Sequence, residues 1–207
     1  MSGESGWGDL EFVVGARGWD HDGWIGGFYP DDLPSEWRLG YYANEFPGVL
    51  VPEEEWSGAG ESEWEEWCDE VPEGFCFYLE LSDTSSARLQ QLEACAAPLG
   101  DMLKGVLLQG VDAVMEAGSL RVPHLMAVVR EDDSACFVAV GQGAGRKGVL
   151  LDSEHMPDLR SLRKLLESVE YNDGVDSITP ALFVGGKAPD VGKMQEAKTL
   201  LELMGLL

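Results

Sequence analysis

His21 is the one histidine flanked on both sides by carboxylates, in the run Trp19-Asp20-His21-Asp22. An imidazole between two acids could relay a proton or bind a metal, provided further ligands converge on it from elsewhere. Neighbours in sequence usually point apart, so the run reads as a polar loop. His124 and His155 are isolated and read as structural or surface residues. Ser153, Ser161 and Ser168 lack the G-x-S-x-G setting, and no cysteine stands beside a histidine, so a serine or cysteine hydrolase is unsupported.

A second chemical candidate is Gly141-Gln142-Gly143-Ala144-Gly145-Arg146-Lys147-Gly148. Its glycines suggest a phosphate cradle, yet Arg146 stands where G-x-G-x-x-G needs its last glycine, and no G-K-[ST] follows. The next residues, Val149-Leu150-Leu151, read as a strand, so no helix N-terminus would aim at an anion. A glycine-rich hairpin tip is expected, with two bases that could still meet an anion. The chain carries no cofactor or metal motif, and neither is expected.

The third candidate is a set of acid runs with aromatics inside them: Pro52-Glu53-Glu54-Glu55-Trp56 and Glu61-Ser62-Glu63-Trp64-Glu65-Glu66-Trp67. Helical spacing puts Trp64, Trp67 and Val71 on one face and Glu63, Glu66 and Glu70 on another. That pattern fits a helix packed on a core with a solvated acidic face. It also fits a surface for a basic protein, where charge speeds encounter and tryptophans act as anchors. Residues Glu53, Glu54, Glu55, Trp56, Glu63, Trp64, Glu65 and Glu66 are the candidates for that contact.

Composition sharpens this picture. The 207 residues hold 38 acids against 14 bases, a net charge of -24. Residues 1–83 contain 21 of those acids, two bases (Arg17 and Arg38) and all seven tryptophans. Such a front repels phosphates, so direct binding of nucleic acid or an anionic membrane is not expected. A high-salt habitat would explain acidity in general but not its concentration in one part of the chain. The four cysteines form no CxxC pair and read as reduced thiols. No signal peptide or membrane-length apolar run is visible, so a cytoplasmic protein is expected.

The elements that must position these residues alternate between strand and helix. Residues 1–9 read as a flexible leader, followed by one domain over 10–207. Short apolar strands are expected at 10–15, 48–52, 75–81, 105–109, 125–130, 136–140, 149–151 and 181–184. Helices are expected at 34–46, 62–70, 85–97, 112–117, 158–169 and 191–204. Buried strands separated by helices indicate an α/β fold with a mostly parallel sheet.

Several uncommon residues recur in an order that resembles the YecE-like family, domain of unknown function seventy-two. These are Val13-Val14-Gly15-Ala16-Arg17-Gly18-Trp19, then Gly26-Gly27-Phe28-Tyr29-Pro30, Leu33-Pro34-Ser35-Glu36-Trp37 and Leu39-Gly40-Tyr41-Tyr42-Ala43 with Phe46. Pro72-Glu73-Gly74-Phe75-Cys76-Phe77 and Leu103-Lys104-Gly105-Val106-Leu107-Leu108-Gln109 resemble its entries to strands three and four. The resemblance is good to about residue 110 and implies a TIM-like barrel. Since such barrels take ~250 residues, it implies a reduced or incomplete one with shortened later units.

The departures bear on function. The family's strand-two Glu and Asn fall on Val49-Leu50-Val51-Pro52, its strand-three Lys on Glu80, and its strand-five E-x-R on Val128-Val129-Arg130. Of these polar residues only the arginine, Arg130, is kept, and loss of the rest implies a catalytically degenerate member that works by binding. The alternative is an enzyme or anionic-ligand binder with a rebuilt pocket at the barrel mouth. It would use Trp19, Tyr29, Glu53, Glu80, Gln109 and Arg130, with Arg130 holding the anion and Glu53 or Glu80 as base or metal ligand.

Overall fold

The computed structural model describes residues 12–109, 125–130, 135–139, 146–169 and 179–207. Eight strands run through them: β1 (Val13–Ala16), β2 (Gly48–Val51), β3 (Cys76–Leu81), β4 (Leu103–Gln109), β5 (Leu125–Arg130), β6 (Ala135–Ala139), β7 (Arg146–Asp152) and β8 (Ala181–Gly185). Six helices are described: α1 (Arg38–Ala43), α2 (Glu53–Gly58), α3 (Glu61–Glu70), α4 (Ser86–Leu99), α5 (Leu159–Glu167) and α6 (Val191–Met204). The strands form a single sheet in the order β1-β8-β7-β6-β5-β4-β3-β2.

Pairing is parallel except where β6 meets β5 and β7. The reason is chain length. Parallel neighbours need a crossover of about a dozen residues or more, whereas residues 131–134 and 140–145 are all that separate these strands. The short connections thus account for the antiparallel placement of β6.

The sheet rolls. Tyr78 of β3 and Phe183 of β8 are far apart in the strand order, yet their rings meet edge-to-face at 4.9 Å. With Val13, Leu50, Cys76, Leu107 and Ala181 they form an inner core. The strands at the two ends of the order also touch. Arg17 and Leu50 form a parallel bridge, and Gly18 N–H donates to Leu50 O at 2.8 Å.

Two residues make that approach possible. A Cβ on Gly15 would lie 1.9 Å from Gly48 O, so only glycine fits there. The Tyr42 hydroxyl accepts from Ala16 N–H at 2.7 Å and donates to Gly48 O at 2.9 Å, tying β1 to β2. Full burial raises the pKa of this hydroxyl far above its usual value, so it stays protonated and can donate.

Helices cover the outer face in two groups. Val14, Val149, Leu151 and Leu182 pack beneath Leu162 and Leu166 of α5 and Ala197 and Leu201 of α6. Val49, Val51, Phe77 and Leu79 pack beneath Trp56, Trp64, Trp67 and Leu92 of α2, α3 and α4. Asp158 and Asp190 cap α5 and α6 by accepting from backbone N–H groups one turn ahead.

The acid run at 53–58 forms α2, which periodicity over so short a stretch does not reveal. The helix expected at 34–46 is a single 3₁₀ turn, Ser35–Trp37, followed by the short α1. The leader, the helix expected at 112–117, His124 and the glycine run at 141–145 lie outside the described residues. Cys68, Cys76 and Cys95 are free thiols, and burial raises the Cys95 pKa to about 12. No helix among the described residues is long and apolar enough to cross a membrane.

Candidate functional site

The C-terminal ends of β1, β2 and β3 carry a network of ion pairs. Arg17, just past β1, donates from Nε to Glu80 Oε1 at 2.8 Å and from Nη2 to Glu80 Oε2 at 2.7 Å. Its Nη2 also reaches Glu54 Oε1 at 3.4 Å. The Glu80 side chain is 5% exposed and that of Arg17 34%. The charged hydrogen bond to Glu80 is the main cause that raises the Arg17 pKa.

Glu53, the first residue of α2, faces the β3–α4 loop. Its Oε2 accepts from the Ser82 N–H and hydroxyl, both at 2.5 Å, and from Asp83 N–H at 3.3 Å. Arg88 Nε lies 2.9 Å from Glu53 Oε1, an ion pair without hydrogen-bond alignment. Glu53 and Glu80 thus serve the scaffold. Neither stands free as a base.

Beside this network lies a groove of about 600 Å³, walled by the 3₁₀ turn Ser35–Trp37 on one side and α3 on the other. Six carboxylates line it: Asp20, Glu36, Glu55, Glu63, Glu66 and Glu70. Trp19, Leu39 and Trp67 supply its apolar part, and Trp19 and Trp67 meet edge-to-face at 5.1 Å. Among the described residues no lysine or arginine lines it.

Glu55 is the carboxylate most withdrawn from water in this groove. It makes no hydrogen bond or ion pair with a described residue. Burial first, and the Glu54 charge second, push its pKa up to about 7. Glu70 is raised too, by partial burial and by Glu66 and Glu36.

The two bases of residues 1–83 are both engaged by acids. Arg17 holds Glu80 and Glu54, while Arg38 bonds closely to Asp20 and lies 3.7 Å from Asp22. Nothing basic remains there to neutralise the groove. His21 is a loop staple: its Nε2 sits 3.0 Å from Arg17 O and its ring packs on Trp24 at 4.4 Å. Burial lowers its pKa, which favours the neutral ring. Among the described residues no three His, Cys, Asp or Glu side chains are arranged to hold a metal.

Several residues expected to meet ligand or partner sit elsewhere. Tyr29 is core, its hydroxyl donating to Trp19 O at 2.5 Å. Trp56 and Trp64 are buried, with Nε1 donating to Glu80 O at 2.7 Å and Trp56 O at 3.1 Å respectively, so neither can anchor a partner. The cause is the helical face they share with the core; tryptophan N–H groups need internal acceptors once buried. Trp37, 64% exposed, is the described tryptophan that faces water.

Glu54, Glu63, Glu65 and Glu66 are exposed. Gln109 ends β4 opposite Val128, and Arg130 ends β5 opposite Cys136; their side chains lie outside the described part. Sequence reasoning missed Arg17, Arg88 and the position of Glu55. For Arg17 a signal existed: it is one of two bases in a stretch of 21 acids, where a partner is almost assured.

The family model for a protein of unknown function, DUF72, matches residues 13–138. A DUF72 family protein from Thermotoga maritima has a similar solved structure, with a TM-score of 0.62 and 15% identity, covering 92% of this chain and 99% of that one. A DUF72 family protein from Enterococcus faecalis is similar at a TM-score of 0.58 and 13% identity, covering 95% and 96%. At these identities the likeness is one of fold. No curated protein matches the chain.

Proposed function

Since the chain belongs to the DUF72 family, whose function is unknown, we propose from its own residues that it is a non-catalytic, cytoplasmic protein-binding module. Its partner is a basic protein. The observation that carries this reading is the groove with six carboxylates and, among the described residues, no base. A cationic segment entering it would meet uncompensated charge beside aromatic surface, which favours fast encounter and a defined seat.

Support for loss of catalysis comes from the strand ends. The resembling pattern places a lysine where Glu80 stands, and here the cation is Arg17, locked to Glu80 through two hydrogen bonds. With Glu53 held by Ser82 and Arg88, the carboxylates named for acid–base work are committed. The rolled sheet, touching itself at Arg17 and Leu50, supports reading the fold as a TIM-like barrel with shortened later units.

The test is recovery of a basic protein from the native host by the intact chain, at low salt. A Glu63→Gln, Glu66→Gln, Glu70→Gln variant should lose that protein, and added salt should weaken its capture by the parent. Equal recovery by parent and variant would remove the acidic face as the binding surface.

A further inference from the structure

We infer that the chain pairs with a second copy of itself through α6. The two helices lie antiparallel across a two-fold axis, and Leu203 of each copy seats over Gly192 of the other.

Helix α6 has two faces. Met194, Ala197 and Leu201 are buried and join the core. Gly192, Gln195, Glu196, Thr199, Leu200 and Leu203 fall at helical spacing on a second face. Together with Leu159 of α5 they line a groove of about 470 Å³.

The ends of this groove differ in shape. Leu203 is 82% exposed, the most exposed large apolar side chain among the described residues, and Leu159 is 47% exposed. At the other end, a Cβ on Gly192 would meet only the Asp190 carboxylate that caps the helix, at 3.2 Å. A knob and a hollow thus stand three turns apart on one helix face, about 16 Å at 1.5 Å per residue.

Such a face complements itself. In a two-fold contact, if residue i meets j, then j meets i. Running α6 against its copy in the opposite direction sets Leu203 over Gly192 twice. Leu200 then stands opposite Gln195, and Thr199 opposite Glu196. Leu159, in the same groove, adds an apolar wall. A parallel arrangement would set leucine on leucine and leave the hollow unfilled.

Charge selects the occupant. Residues 158–167 and 191–204 hold five bases against four acids, within a chain of net charge -24. Two copies meeting through residues 1–83 would repel each other, whereas this near-neutral face lets them approach. A strongly basic partner finds no excess of acid here. Arg160 follows Leu159 and Glu202 precedes Leu203; both are exposed and neither is ion-paired with another described residue. The antiparallel pairing brings Arg160 of one copy toward Glu202 of the other. It also brings the two Glu196 carboxylates near the axis, where the Thr199 hydroxyl opposite can donate to each.

Sedimentation equilibrium of the full chain tests this. One helix pair is smaller than the ~800 Å² per partner of a standard interface, so pairing should depend on concentration in the range of ~5 to ~300 µM. The mean mass should climb from 22.5 kDa toward twice that value. Added salt screens the repulsion between two acidic chains and should strengthen pairing, the reverse of its effect on capture of a basic protein. Leu203→Glu should weaken association about a hundredfold, because the two-fold axis counts each substitution twice. Its melting temperature at low concentration should match the parent, since Leu203 is exposed. Gly192→Cys combined with Leu203→Cys should give a covalent dimer on oxidation by diamide, and neither single variant should.

A mass of 22.5 kDa at every concentration, or association of Leu203→Glu equal to that of the parent, overturns the pairing and leaves the groove to another occupant. Association that weakens with salt overturns this face as its seat. Cross-linking by Leu203→Cys alone, or none by the double variant, overturns the antiparallel register. The acidic groove lies on other elements, so each of these results leaves the protein-binding reading untouched.

Discussion

Arg17 and Glu80, 63 residues apart in sequence, grip each other through two hydrogen bonds of 2.8 and 2.7 Å at the ends of β1 and β3. The pair ties the C-terminal ends of β1 and β3 together. It also orients α2, because Glu54 leans on the same guanidinium and Trp56 Nε1 donates to the Glu80 carbonyl. Glu80 thus holds a charge pair through its side chain and a helix through its carbonyl.

Breaking that pair from one side should cost more than removing both halves. Arg17→Met leaves a carboxylate 5% exposed without its cation, and should lower unfolding free energy by about 2–3 kcal/mol, less than for a fully buried pair because Arg17 is partly in water. Arg17→Met with Glu80→Leu should recover most of the loss. Urea denaturation of the two single variants and the double gives the coupling; additive losses would contradict it.

Trp56 offers a separation of packing from hydrogen bonding. The side chain is fully buried and its N–H satisfies Glu80 O. Trp56→Phe should cost about 1–3 kcal/mol, chiefly the orphaned carbonyl. Trp56→Ala should cost about 3–5 kcal/mol, adding the cavity. Thermal unfolding followed by circular dichroism reads both.

The meeting of β1 and β2 depends on glycine. Gly15→Ala brings a Cβ within 1.9 Å of Gly48 O, so the strands must part. Loss of soluble protein, or destabilisation beyond about 3 kcal/mol, is expected. Gly58→Ala, in α2 with open space around its Cβ, should be neutral or stabilise by up to about 1 kcal/mol. A comparison of expression and melting temperature distinguishes the two positions.

Glu55 should make stability fall as pH rises. Its carboxyl binds a proton more tightly in the folded chain, at about 7 against an ordinary 4.5. The folded state therefore loses relative stability as pH climbs through that interval, and above it the full penalty applies. Glu55→Gln cannot ionise, so it should match the parent near pH 4.5. At pH 8 it should exceed it by about 1 kcal/mol after allowance for partial exposure, or ~3 °C in melting temperature. A constant difference across pH would reject the assignment.

Much of this fold could be read in advance because local chemistry and burial agree. Residues 191–204 carry helical periodicity and begin after Asp190, which caps the helix. Residues 181–184 are apolar throughout and are buried throughout. Helix α2 could not be read, because six residues dominated by Glu have no periodic face to show. Helical spacing did set Trp64 and Trp67 on a face apart from Glu63 and Glu66. That this face is buried, which removes Trp56 and Trp64 as partner anchors, depends on packing against the sheet.

The sequence by itself determined the alternation of strand and helix, the family, and the concentration of negative charge in the first 83 residues. These follow from residue type, order and local periodicity. Only the tertiary structure decided which carboxylates are spent and which remain available. Glu53 and Glu80 are neutralised by Arg88 and Arg17, whereas Glu36, Glu55, Glu63, Glu66 and Glu70 gather around one groove without a cation. Pairing and desolvation depend on distances between residues remote in the chain, and rolling the sheet sets those distances.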